Sequence, residues 1–112
     1  MNILSEIIAT KRQRVNAAQE AVPFDQMRRH AQEVRSGAKT HALRTALRFD
    51  GINIIAEFKR RSPSKGTIRA GANLTQIVQS YEAGGAVALS VLTEEDYFDG
   101  SLADLRAAKA TV

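Results

Sequence analysis

Glu57 and Lys59 are the residues of this chain whose types and spacing most clearly suggest chemistry. They lie at the end of an apolar run that begins at Ile54. Residues two apart in a β-strand project from the same face, so this carboxylate and this ammonium group would stand side by side. Opposite charges at the end of an otherwise buried strand, followed by a cationic loop, indicate a site for an anionic ligand.

The segment after this strand is strongly basic. Five cations lie within residues 59–69, and Glu57 is the only acidic neighbour: they are Lys59, Arg60, Arg61, Lys65 and Arg69. A solvated surface loop would explain such a cluster, but its position directly after a strand favours a binding site. The sequence Pro-Ser-Lys-Gly resembles part of a phosphate-binding loop, yet the spacing of a nucleotide-binding P-loop is absent.

Composition excludes several classes of protein. The 112 residues contain no cysteine, which excludes disulfides and thiolate metal sites, and the two histidines, His30 and His41, are too few for a convincing zinc site. The sequence has neither a secretory signal nor an apolar run of membrane-spanning length, so we expect a cytoplasmic protein that does not bind membranes. The net charge of +4 would suit a nucleic-acid binder, but aromatic residues are sparse and no nucleic-acid-binding motif is present.

The first fifty residues are predicted to be helical. Apolar residues recur at helical spacing over residues 2–21, and Pro23 ends this helix and opens a second one. Ser36-Gly37 ends the second helix, and a short third helix is predicted around residues 40–48. Gly51 then marks a turn before the first strand.

The periodicity changes to that of alternating strands and helices after this turn. Ile52 to Phe58 is predicted to be a strand covered on both faces, because its apolar run is nearly continuous. A long polar loop, residues 60–72, follows with a turn at Pro63 to Gly66. Asn73 is expected to cap a helix that runs to Ala83.

The second half of this region repeats the pattern. Ala86 to Leu92 is the next predicted strand, residues 93–100 form an acidic and aromatic loop, and Ser101 caps a last helix. Alternation of this kind predicts βαβ units with a parallel sheet, so both loops would lie at the same rim. That rim carries function in doubly wound sheets and in (β/α)₈ barrels alike.

Two segments resemble indole-3-glycerol phosphate synthase, an enzyme family of tryptophan biosynthesis. The sequence I-I-A-E-F-K-R-R-S-P-S-K-G, from Ile54 to Gly66, is similar to the first strand and loop of the family. The sequence S-V-L-T-E-E-D-Y-F-D-G-S-L-A-D-L, from Ser90 to Leu105, is similar to the second strand and its loop. The resemblance is close over residues 51–106 and looser before them.

The resemblance implies an α/β fold. Residues 51–112 would form the first two βα units of a (β/α)₈ TIM barrel, after a helical extension at residues 1–50. It also implies a lyase that converts 1-(2-carboxyphenylamino)-1-deoxyribulose 5-phosphate into indole-3-glycerol phosphate, carbon dioxide and water, with no metal and no organic cofactor. A phosphorylated substrate with a carboxylate would suit a cationic rim.

Five residues receive roles from the resemblance. Glu57 and Lys59 match the active-site glutamate and lysine of the family's first strand, so both are expected to be catalytic. Ser62 and Ser64 are expected to line the substrate, and Phe98 is expected to pack near its ring. Without the resemblance, these residues would more readily be interpreted as exposed charges, a simple turn and local core.

The family places its principal catalytic lysine on a third strand, which these 112 residues do not include. We therefore expect the chain alone to be incomplete and inactive. A truncated chain, a fragment complemented by a second chain, and a self-assembled partial barrel all remain open. The alternative function is a non-catalytic partial-barrel module that buries its open edges against another copy of itself or against a second chain.

Overall fold

The computed structural model of the chain describes residues 2–69 and 71–112. The chain divides into two compact units, Met1–Ala42 and Leu43–Val112. In chain order, the elements are α1 (Ile3–Ala21), α2 (Phe24–Ser36), α3 (Ala42–Ala46), β1 (Ile55–Phe58), β2 (Arg61–Ser62), β3 (Gly66–Thr67), α4 (Leu74–Ala83), β4 (Ala88–Val91), α5 (Glu95–Phe98) and α6 (Leu102–Thr111). The domain boundary expected after residue 50 stays a prediction.

The first unit contains the two helices that the apolar periodicity predicted. The side-chain oxygen of Asn2 accepts from the backbone N–H of Ser5, which caps α1, and Pro23 stands at the N-cap of α2. Neither helix has a buried residue; Leu4 is 62% exposed and Phe24 is 74% exposed. The apolar stripes of both helices therefore lie at the surface of this unit. No helix in the described part of the chain is both long and apolar enough to cross a membrane.

A parallel pair of strands organises the second unit. Strands β1 and β4 pair in parallel with Ile55 opposite Ala88 and Phe58 opposite Val91, so the predicted parallel sheet is confirmed. Both strands are shorter than Ile52–Phe58 and Ala86–Leu92, the predicted ranges. Single hydrogen bonds extend the ladder beyond each end, from the Val87 N–H to the Ile54 carbonyl and from the Leu92 N–H to the Phe58 carbonyl.

One face of this pair carries the core. Phe58 from β1 packs with Leu74 and Val78 of α4 and with Ala108 of α6, and all four side chains are buried. Leu89 and Val91 of β4 pack against this group, which leaves the alternate residues of both strands on the opposite face. Ile54 and Ile55 are both about half exposed, so the expectation that the first strand is covered on both faces is wrong for the described residues.

The predicted loop between β1 and α4 contains two short strands. Strands β2 and β3 form a small antiparallel hairpin, and the turn expected at Pro63 to Gly66 connects them. Gly66, which pairs with Ser62 just after the turn, has a φ of 64°, a left-handed conformation that glycine adopts without steric cost. The carbonyl of Arg60 accepts from the N–H groups of both Ile68 and Arg69 and closes the neck of the hairpin.

The helix caps of this unit agree with the sequence prediction, with one addition. Asn73 and Ser101 accept hydrogen bonds from the first turns of α4 and α6, as predicted. The segment 93–100 was predicted to be a loop, but it contains the short helix α5, whose N-cap is Glu94. The Glu94 carboxylate accepts from the N–H groups of Asp96 and Tyr97, a capping role that glutamate rarely fills.

Candidate active site

Glu57 and Lys59 form an ion pair at the carboxyl end of β1. The ammonium nitrogen of Lys59 lies 3.4 Å from Oε1 of Glu57, and the two side chains are 33% and 47% exposed. Their shared face follows from strand alternation, because Phe58 between them points into the core. The predicted side-by-side arrangement is confirmed, whereas the catalytic roles of the two residues stay predictions.

Two further groups hold Glu57. Ser90 is its direct partner in the register of β1 and β4, and its hydroxyl donates to Oε2 of Glu57 at 3.0 Å. The hydroxyl of Tyr81, from α4, donates to the backbone carbonyl of Glu57 at 3.3 Å. The sequence reasoning missed both contacts. One feature of the sequence pointed to Ser90, because it is the only polar residue in the apolar run from Ala86 to Leu92.

Phe98 joins this group from the neighbouring rim segment. It ends α5, and the centre of its ring lies 6.0 Å from the ammonium nitrogen of Lys59. That distance is the outer limit of a cation–π contact, so the ring and the cation border the same space without being tightly packed. Glu57, Lys59 and Phe98, three of the predicted site residues, therefore come together.

Ser62 and Ser64 belong to the hairpin. Ser62 is 6% exposed, and its hydroxyl accepts from the backbone N–H of Lys65 at 3.1 Å. The hydroxyl oxygens of Ser62 and Ser64 are 3.5 Å apart. Ser62 thus shapes the turn itself, and the proposal that the two residues line a substrate stays a prediction.

The guanidinium of Arg60 is bound by other residues of the chain. Its guanidinium donates to both carboxylate oxygens of Asp104 in α6, at 3.2 and 2.9 Å, and to the carbonyl of Ala72 at 2.9 Å. It also stacks 4.9 Å from the ring centre of Phe58. The hydrogen bonds to Asp104 raise the pKa of Arg60, an effect that partial burial opposes.

Arg61 connects the hairpin with α5. Its guanidinium lies 3.8 Å from a carboxylate oxygen of Asp99 and donates to the carbonyl of Asp96 at 3.4 Å. With Lys59 and Arg60, three of the five cations in the basic segment thus have carboxylate partners. An anionic ligand at this cationic loop would therefore have to compete with these carboxylates for three of the five cations.

Comparison with known proteins identifies the family. The family model described as indole-3-glycerol phosphate synthase matches residues 4–112. The chain belongs to the indole-3-glycerol phosphate synthase family. Among curated relatives, the indole-3-glycerol phosphate synthase of Bacteroides thetaiotaomicron is 47% identical over 111 residues, covering 99% of this chain and 42% of the relative. Indole-3-glycerol phosphate synthase 1 of Streptomyces coelicolor is 44% identical over 112 residues, covering all of this chain and 40% of the relative.

The chain spans about two fifths of the length of these indole-3-glycerol phosphate synthases. A third relative, the enzyme of Carboxydothermus hydrogenoformans, shows the same proportion, with 41% identity over 97% of this chain and 43% of the relative. The family resemblance read from the sequence is therefore confirmed.

Three acidic residues of this family member lie close together at the start of α5. Carboxylate oxygens of Glu94, Glu95 and Asp96 lie within 4.8 Å of one another. The Glu94 carboxylate already accepts two backbone N–H groups as the cap of α5, which accounts for its position. This cluster is consistent with a helix cap, and the geometry by itself does not define a metal site.

Proposed function

We propose that this chain supplies the first part of an indole-3-glycerol phosphate synthase. Strand β1 with α4, and strand β4 with α6, would be the first two βα units of a (β/α)₈ barrel, and residues 1–50 would be its helical extension. The parallel register of β1 and β4 supports this assignment, as does the family match over residues 4–112. No specific observation favours the alternative of a non-catalytic module.

The proposed reaction is the one that the family resemblance implies. A lyase would close the indole ring of 1-(2-carboxyphenylamino)-1-deoxyribulose 5-phosphate, releasing carbon dioxide and water to form indole-3-glycerol phosphate in tryptophan biosynthesis. The ring-closing step attacks a ketone, whose oxygen must accept a proton or a hydrogen bond. The leaving carboxylate must also be oriented, so the site needs both a cation and a proton-handling group.

One observation carries this proposal at the level of the site. The Glu57–Lys59 ion pair stands at the carboxyl end of β1, and the Phe98 ring borders the same ammonium group. Lys59 would contact an anionic group of the substrate, and Glu57 would hold Lys59 and share in proton transfer during dehydration. Phe98 would pack near the substrate ring, and Ser62 and Ser64 would line the substrate from the loop after β1.

The remaining proposals concern partners and context. The 112 residues alone would have little or no activity, because the family's principal catalytic lysine lies on a third strand. The remainder of a barrel, or another copy of the chain, would cover the open edges of β1 and β4. The whole protein would act in the cytoplasm on a phosphorylated small molecule, with no metal, organic cofactor or nucleic acid.

A chimera tests the proposed function directly. Residues 1–112 would replace the matching segment of the Bacteroides thetaiotaomicron relative, and formation of indole-3-glycerol phosphate would be followed by indole fluorescence. We expect the chimera to be active and the 112-residue chain to be inactive. A folded chimera without activity, beside an active relative, would contradict the proposed function. Robust turnover by the 112-residue chain would contradict its incompleteness.

A further inference from the structure

The two carboxylate oxygens of Glu57 have different partners. Oε1 faces the ammonium nitrogen of Lys59 at 3.4 Å, and Oε2 accepts the hydroxyl hydrogen of Ser90 at 3.0 Å. The first partner is on the same strand segment, whereas the second reaches across from β4. Each carboxylate oxygen of Glu57 therefore has its own neighbour: Oε1 has Lys59, and Oε2 has Ser90.

The backbone fixes the position of Ser90 more firmly than that of Lys59. Ser90 lies directly opposite Glu57 in the parallel register, and its neighbours Leu89 and Val91 pack against the core on the other face. A serine side chain has one rotatable bond to its hydroxyl group, while lysine has a flexible four-carbon stem. Ser90 is therefore the short and rigid partner of the pair, and Lys59 is the long and mobile one.

Glu57 needs a rigid partner because its side chain is long and 47% exposed. A partly exposed ion pair restrains a side chain weakly, because water and salt screen the attraction. A hydrogen bond to a carboxylate is stronger than one between neutral groups, and it has a preferred direction. The Ser90 hydroxyl can therefore orient the carboxylate plane in a way that the lysine contact cannot.

We propose that Ser90 is a positioning residue of this site. Its hydroxyl holds Oε2 of Glu57, so that Oε1 remains directed towards Lys59 and towards a bound substrate. Ser90 acts through Glu57 and need not touch the substrate itself. This inference rests on the proposed function, because the positioning matters for turnover only if Glu57 takes part in it.

The test uses the active chimera with Ser90→Ala and Ser90→Thr, and the control is Ser36→Ala, because the Ser36 hydroxyl donates within α2 to the Glu33 carbonyl. We expect Ser90→Ala to lower kcat about tenfold while KM changes less than about twofold, since a lost hydrogen bond to a charged group is of this size. Ser90→Thr keeps a hydroxyl and suits a strand, so it should retain most of the activity. Ser36→Ala should match the parent.

A double-mutant cycle separates positioning from a general structural effect. In a Glu57→Gln background, Ser90→Ala should change kcat less than about twofold, because the group that it positions is already altered. If Ser90→Ala lowers kcat by the same factor with and without Glu57→Gln, the inference is overturned. A Ser90→Thr variant with a kcat as low as that of Ser90→Ala would overturn it too, as would a Ser90→Ala variant with the kcat of the parent.

A second measurement keeps the inference independent of the proposed function. An inactive parent chimera would count against the function, and the positioning would then be measured by NMR on the 112-residue chain. Side-chain couplings of Glu57 should report one dominant rotamer in the parent and averaging in Ser90→Ala. Equal averaging in both proteins would overturn the positioning role, whatever the reaction.

Discussion

Arg60 and Asp104 are separated by 44 residues in the sequence, yet the guanidinium of Arg60 binds both carboxylate oxygens of Asp104. The same guanidinium donates to the Ala72 carbonyl, just before α4 begins. Arg60 therefore connects the start of the loop after β1 with the first turn of α6 and with Ala72, near the end of that loop. Arg60 anchors the segment that Lys59 begins, and neither Asp104 nor its contact with Arg60 was predicted.

Breaking this pair should destabilise the chain. Asp104→Asn should lower the free energy of unfolding by about 2 kcal/mol, because it weakens a two-pronged, partly buried ionic contact with Arg60. The control is Asp25→Asn, whose partner Arg28 forms a pair that is 60% and 74% exposed, so a change below about 0.5 kcal/mol is expected. Urea unfolding followed by circular dichroism measures both values.

The same comparison has a defined pH dependence. The hydrogen bonds to Asp104 raise the pKa of Arg60, so the stabilising contribution of Arg60 is present below the ordinary pKa of arginine and is lost as the pH rises through the raised pKa. We therefore expect the effect of Asp104→Asn to be constant between about pH 6 and pH 9. Equal effects of Asp104→Asn and Asp25→Asn would show that the pair is not a structural anchor.

Gly100 should not tolerate a side chain. A Cβ at this position would meet the backbone carbonyl of Leu92, and backbone atoms cannot move aside as a flexible side chain can. Gly100→Ala should therefore lower the free energy of unfolding by about 2 to 3 kcal/mol, through overpacking at the close approach of two backbone segments. Gly37→Ala is the matched control, because its Cβ would meet open space. Thermal unfolding of both variants measures the difference. A Gly100→Ala variant that is no less stable than Gly37→Ala would contradict this prediction.

Ser62 should matter for the hairpin whether or not it contacts a substrate. Ser62→Ala removes the acceptor of the Lys65 N–H, so we expect a loss of about 1 kcal/mol in the free energy of unfolding. Amide hydrogen exchange at Lys65 should accelerate in this variant, while exchange in α4 should stay closer to that of the parent. Unchanged exchange at Lys65 would show that the turn does not depend on this hydroxyl.

Lys59 is the residue whose loss should most affect turnover among those described. In the chimera, Lys59→Ala should lower kcat/KM by at least about a hundredfold, because it removes the cation and releases Glu57 from the ion pair. Lys59→Arg keeps the charge but changes the shape of the donor, so it should recover only part of the activity. Circular dichroism must show that both variants are folded, and a folded Lys59→Ala variant with parental activity would contradict the role of Lys59.

Phe98 offers a separate test of the aromatic contact. Phe98→Leu keeps an apolar side chain but removes the ring that borders the Lys59 ammonium group. We expect KM for the substrate to rise about threefold to tenfold with a smaller change in kcat, as expected for a group that packs near the substrate ring. Kinetics on the chimera measure this, and a Phe98→Leu variant that loses kcat alone would assign Phe98 a different role.

Local signals explain why much of the fold could be predicted. Asn73 and Ser101 are short polar residues before apolar runs, and each caps the predicted helix through a side-chain oxygen. The placement of Glu57 and Lys59 on one face needed only the period of a strand. By contrast, strands β2 and β3 have two residues each, which is too short for any periodic signal.

Contacts between distant residues explain most of what the sequence did not reveal. The Arg60–Asp104 pair and the Ser90–Glu57 hydrogen bond join residues 44 and 33 positions apart, so neither follows from local spacing. The sequence shows five cations in the basic segment, but the carboxylates that pair with two of them, Asp104 with Arg60 and Asp99 with Arg61, lie far along the chain. The number of cations in the basic segment is therefore larger than the number that is available to bind a ligand at the rim.

The neck of the hairpin has a consequence for how this chain can change in length. The Arg60 carbonyl accepts from the N–H groups of Ile68 and Arg69, so these hydrogen bonds hold the two ends of the hairpin together without involving the turn at its tip. Closing a longer loop costs little additional entropy once its ends are fixed. Extra residues between Pro63 and Lys65 should therefore leave the two ends of the hairpin together, although they would remove the Ser62–Lys65 hydrogen bond of the turn.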